Sequence, residues 1–154
     1  DAVISLNEMR ETEGLTVKAD FERLIDNIRA HLDMIKQRAP FVIDEYRVKL
    51  TKRIEEYLCS VEVDQAKLIN EVAFFADKAD INEEISRLDS HISQFTDVIE
   101  SDGEAGRKLD FLAQEMNREI NTMGSKSADI ELLNHVVEMK NELEKIREQI
   151  RNVE

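Results

Sequence analysis

From Phe21 to Val153 the apolar residues of this chain recur at steps of three and four, and nowhere is there the step of two that marks a strand. At about 100° per residue such steps collect on one side of an α-helix. Phe21, Leu24, Ile25, Ile28, Leu32 and Ile35 form the first stripe, which extends back towards Met9 through Gly14. Ile43, Tyr46, Leu50, Ile54 and Tyr57 form a second, and Leu68, Ile69, Val72, Phe75 and Ala76 a shorter third. Ile81, Ile85, Leu88, Ile92, Phe95 and Ile99 follow, then Leu109, Leu112, Met116, Ile120 and Met123. The last stripe, Leu132, Val136, Met139, Leu143, Ile146, Ile150 and Val153, alternates four and three like a coiled-coil seam. The expected fold is all-α: long antiparallel helices with a terminal coiled-coil-like helix.

Punctuation sets the expected boundaries. Pro40 is the only proline, and a proline inside a helical pattern ends the helix or opens the next. A helical hairpin is therefore expected over about 2–60, with Lys36 and Arg38 carried at its bend. A second helical part is expected over about 63–154. Within it, Asp80-Ile81-Asn82-Glu83 has the spacing of a reciprocal capping box. SDGEAG at 101–106 and SKSAD at 125–129 read as loops, and Gly124 suits a left-handed helix terminus. The chain starts at Asp1 without methionine, inside a helical pattern, so 1–154 reads as a single helical region of a larger protein.

The formal net charge is −13, but it is unevenly spread. Residues 36–53 carry six basic and two acidic groups, whereas residues 54–106 carry three basic and fourteen acidic ones. Phosphate binding needs Lys and Arg, so the total argues against nucleic acid and leaves a local basic island for it. No apolar run approaches the roughly 20 residues of a membrane span, and no membrane partner is expected. The single cysteine, Cys59, offers neither an internal disulfide nor a zinc cluster, and a cytoplasmic protein is the simplest reading. Phosphate-loop, dinucleotide and nucleophile-elbow motifs are absent.

Two stretches carry groups suited to chemistry. Asp80, Glu84, Arg87 and His91 fall at i, i+4, i+7 and i+11 on one helical stripe. Such a set can bind a divalent ion, hold a phosphate and move a proton. Its structural alternative is a cap, a surface ion pair and a core-boundary histidine. In KLDFLAQEMNREINTMGSKS at 108–127, Asp110, Glu115 and Glu119 are further oxygen donors. Arg107, Lys108, Arg118 and Lys126 supply positive charge, and Gln114, Asn117 and Asn121 supply amides, which cost helix propensity. That face suits either polar interhelical packing or a ligand. His31 stands alone in the sequence, and Glu131 with His135 lacks the doubled Glu-x-x-His of a di-metal bundle.

GRKLDFLAQEMNREINTMGSKS at 106–127 and VVEMKNELEKIREQIRNVE at 136–154 closely resemble the C-terminal region of the YicC/YloC family of bacterial endoribonucleases. DINEEISRLDSH at 80–91 and RETEG at 10–14 fit the same family. The resemblance implies a stress-linked, divalent-metal-dependent hydrolase acting on RNA, with Mg²⁺ or Mn²⁺ as cofactor. It implies a homo-oligomer, such as a hexamer, with an N-terminal domain absent here, RNA as partner of the full-length protein, and no DNA. Combined with the side chains present, the expected metal set is Asp80, Glu84 and Asp110. Glu84, His91, Asp110 and Glu115 are the expected catalytic groups. Arg87, Arg107, Lys108, Gln114, Asn117, Arg118, Asn121 and Lys126 are the expected RNA contacts. The rival reading is a helical oligomerisation scaffold without activity of its own.

Overall fold

In a computed structural model the backbone is described for residues 2–58, 62–101 and 105–153. Five helices hold most of these residues: α1 (Ala2–Leu58), α2 (Gln65–Ala79), α3 (Asn82–Glu100), α4 (Gly106–Lys126) and α5 (Ile130–Val153). The all-α expectation holds, and no strand occurs among the described residues. Cys59 and residues 102–104 of the expected loop lie outside them.

The hairpin expected at Pro40 is replaced by one helix. α1 runs 57 residues through Pro40, and also through Gly14. A mid-helix proline removes one donor and crowds the preceding turn, at a cost of about 3 kcal/mol. Contacts on both sides of it offset that cost here. Before Pro40, Phe21, Leu24, Ile25, Ile28, Leu32 and Ile35 are buried against the other helices. After it, α1 packs on α2, where the Tyr46 and Phe75 rings stack with centroids 3.7 Å apart. Arg38 also spans the proline: Nη1 and Nη2 donate to the Glu45 carboxylate at 2.8 and 2.6 Å.

The core lies among four helices. α1 contacts α5 and α3, and α4 contacts α3 and α5, which closes a ring. Phe21 meets Phe95 edge-on at 5.8 Å, tying α1 to α3. The seam of α5 is buried from Leu132 to Ile150, but Val153, expected to belong to it, is 58% exposed. A polar ladder flanks the α1–α5 contact and sets its antiparallel register. Gln149 donates to Asp20 at 3.2 Å and Asn27 to Glu142 at 2.9 Å. Arg38 Nη2 donates to Asp129 at 2.8 Å. His31, alone in the sequence, has a partner in the fold: its Nδ1 is 3.0 Å from Nδ1 of His135.

Two local expectations change. Asp80 accepts from the Asn82 N–H at 2.9 Å, one residue short of the capping box, and Glu83 pairs with Arg87. The box fails because helical geometry starts at Asn82, with Ile81 at the cap position. Gly124 lies inside α4 rather than at a left-handed terminus, and the helix ends at Lys126 with Ser127 capping it. A Cβ there would lie 3.2 Å from Cγ1 of Val136, so this glycine lets α5 approach α4 closely.

Candidate functional site

α3 and α4 pack antiparallel through Ile85, Leu88, Ile92 and Phe95 on one side and Leu112, Met116, Ile120 and Met123 on the other. Residues about 60–100° off these stripes line the edge of the contact. On α3 these are Glu84, Arg87 and His91, and on α4 Glu115, Glu119 and Lys126. The edge is closed at one end by Lys126 Nζ, which donates to Glu84 Oε1 at 2.7 Å. Glu84 is 3% exposed, and its Oε2 has no partner. Further along, the edge opens into a groove of about 420 Å³ lined by Arg87, Ser90, His91, Glu115, Arg118 and Glu119.

The groove combines charge and unused hydrogen-bonding capacity. Arg87 and Arg118 are exposed, whereas Glu119 is only 5% exposed. Arg87 Nη1 lies 3.8 Å from Glu119 Oε2, an ion pair too long for a hydrogen bond. The guanidinium also pairs with Glu83 on its own helix. His91 is half-buried, and its Nδ1 lacks a partner. Two guanidinia, an imidazole and two carboxylates in one cleft can bind an anion, neutralise charge and transfer a proton.

Of the expected site residues, Arg87, His91, Glu115 and Arg118 share this groove. Glu84 and Lys126 are bound to each other beside it. Asp110 lies elsewhere on α4 and accepts from Gln114 at 2.9 Å. Arg107, Lys108 and Asn121 are exposed, and Asn117 is half-buried on the stripe that leads to Gly124. Asp80 sits at the joint of α2 and α3, lining a separate cleft with Lys36, Pro40 and Asp77. The metal set is therefore not assembled: Asp80 and Glu84 lie at the start of α3, while Asp110 lies at the opposite end of the antiparallel α4. No group of three or more His, Cys, Asp or Glu side chains among the described residues fits a metal ion. Glu119 is the group that sequence reading ranked too low. It appeared as one oxygen donor among several, and its only distinguishing signal is that it lies one turn from Glu115 and nearer the apolar stripe.

The family described as "Endoribonuclease YicC-like, C-terminal" matches residues 35–154. The chain is 50% identical over 155 residues to the "Probable endoribonuclease YicC" of Clostridioides difficile (strain 630), covering 100% of this chain and 53% of that protein. It is 33% identical over 154 residues to the protein of the same description in Haemophilus influenzae, again covering 100% of this chain and 53% of the relative. The chain thus spans about half the length of these relatives.

Proposed function

The chain belongs to the YicC-like endoribonuclease family, and from that premise we propose that the α3–α4 groove holds RNA for cleavage in the full-length protein. The supporting observation is the groove's composition: exposed Arg87 and Arg118 share it with buried Glu119, which Arg87 meets only as a 3.8 Å ion pair, and with His91, whose Nδ1 has no partner. In this reading the guanidinia grip the scissile phosphate and stabilise charge that builds on it. His91 moves a proton at the reacting oxygen, and Glu115 at the groove wall orients the imidazole or a water. Mg²⁺ or Mn²⁺ would supply Lewis-acid chemistry, but Asp80, Glu84 and Asp110 do not fit a shared site for either ion.

The deciding experiment is RNA cleavage by the full-length protein carrying His91→Ala, Arg118→Ala or Glu115→Gln. Each variant should keep its melting temperature and lose about a hundredfold or more in rate, the usual effect of removing one transition-state interaction. Cleavage at the wild-type rate by all three would move the active site out of this groove.

A second reading concerns assembly. Phe41, Val48 and Phe74 on the α1–α2 arm are 60%, 62% and 58% exposed, large apolar groups that a contact surface would cover. In this proposal full-length copies associate as a homo-oligomer and act in the cytoplasm. No described helix is long and apolar enough to cross a membrane. Sedimentation of a Phe41→Glu, Val48→Glu double variant should show a smaller species than the wild type.

A further inference from the structure

We infer that Glu119 accepts the ribose 2′-hydroxyl beside the phosphate held by Arg87, and so makes the groove select RNA over DNA. The inference rests on the proposed role of the groove in RNA cleavage. Its origin is a contrast among the three buried carboxylates of the described residues, Glu84, Glu119 and Glu142. Glu84 takes a hydrogen bond from Lys126 at 2.7 Å, and Glu142 takes them from Asn27 at 2.9 Å and Lys145 at 2.6 Å. Glu119 takes none among the described residues; its nearest cation is Arg87 at 3.8 Å. A buried carboxylate is costly unless a donor meets it. This one lines an open groove, so a donor can reach it from a ligand.

The chemistry of the donor follows from the company Glu119 keeps. Beside a polyanion a carboxylate is repelled, unless the polyanion itself offers a hydrogen. Along a nucleic-acid backbone only the ribose 2′-hydroxyl does so. That hydroxyl is on the carbon next to the one bearing the 3′-phosphate. A phosphate on the Arg87 guanidinium therefore brings it into the neighbourhood of an acceptor 3.8 Å away. The donor edges of the bases lie farther from the phosphate, across the sugar. A deoxyribose in the same place leaves the carboxylate buried, without a hydrogen-bond donor and close to a phosphate. Sites built to hydrogen-bond a hydroxyl discriminate strongly against analogues that lack it. Glu119 is thus a specificity residue, distinct from the proton-transfer role of His91.

The test measures binding of short single-stranded RNA and DNA of one sequence to the full-length protein, using Glu119→Ala, Glu119→Gln and Arg118→Ala. The wild type should prefer RNA by tenfold or more. Glu119→Ala should bring RNA affinity down to that of DNA while DNA affinity holds or rises. Glu119→Gln, of the same shape and still an acceptor, should fall between and show the effect even if the alanine variant folds poorly. In RNA carrying single 2′-deoxy substitutions, one position should reproduce the loss in the wild type and have no effect in Glu119→Ala. Parallel losses for RNA and DNA would make Glu119 merely structural and overturn the inference. So would an unchanged RNA-to-DNA ratio, or a loss that follows guanine content instead of sugar. If Arg118→Ala leaves RNA binding and cleavage untouched, the groove reading fails first and the inference with it.

Discussion

Arg38 Nη2 lies 2.8 Å from Oδ1 of Asp129, and this contact joins the middle of α1 to the start of α5. Asp129 is at the same time a helix cap, its Oδ2 accepting from the Leu132 N–H at 2.9 Å. The same guanidinium holds Glu45 on the far side of Pro40. One cation thus links a cap, a proline-containing helix and two elements 91 residues apart.

This linkage predicts an acid-sensitive fold. Hydrogen bonds from Arg38 hold the Asp129 and Glu45 carboxyls below their ordinary values, and the Leu132 N–H adds to the effect on Asp129. A carboxyl whose folded value lies below its unfolded one favours the folded state when ionised. Its contribution is complete above the ordinary range, near 4, and is lost as pH falls through the lowered value. Melting temperature followed downward from pH 6 should drop more steeply below about pH 4 in the wild type than in Arg38→Met. At neutral pH Arg38→Met should melt lower, and Asp129→Ala should lose about 1 kcal/mol for the cap alone. Parallel pH profiles would show that the contact carries no linkage.

Pro40→Ala should stabilise the protein. The helix already passes through this position, so alanine restores a donor and removes the ring clash, worth up to about 3 kcal/mol. Chemical denaturation is the measurement. A loss of stability would mean that the proline terminates a helix in solution and that α1 is two helices.

The two helical glycines should respond oppositely to alanine. Around Gly14 nothing lies within 4 Å of an added Cβ, so Gly14→Ala gains the helix propensity of about 1 kcal/mol. Hydrogen exchange over residues 8–18 should slow. At Gly124 the new methyl would press on buried Val136, and overpacking of about 1–3 kcal/mol exceeds the propensity gain. Gly124→Ala should melt lower, and Val136→Ala added to it should recover part of the loss.

The end of the α5 seam offers a matched pair. Leu143 is 1% exposed, and Leu143→Asp buries an unpaired charge at a cost of several kcal/mol. Val153 is 58% exposed, and Val153→Asp should change stability by no more than about 0.5 kcal/mol. Equal effects in urea titrations would contradict the burial boundary at Ile150.

The sequence by itself determined the helical class, the phase of the buried stripes and the residue types available for chemistry, because helical phase depends only on local spacing. Leu109, Leu112, Met116, Ile120 and Met123 could be assigned to one buried face from their positions alone, and all are buried. The flank of α3 was equally legible, and Arg87 and His91 do share a groove. What local spacing cannot encode is register between helices. Only the packing of α3 on α4 decided that Lys126 meets Glu84, that Glu119 stands opposite Arg87, and that Asp110 stands apart from Asp80. The same holds at Pro40: local chemistry disfavours a helix there, and tertiary contacts on both sides outweigh it. It holds too at Gly124, where a backbone that reads as a terminus is instead packed tightly against Val136 of α5. Local free energies of about one to three kcal/mol propose such boundaries, and the summed burial of two helix faces overrides them.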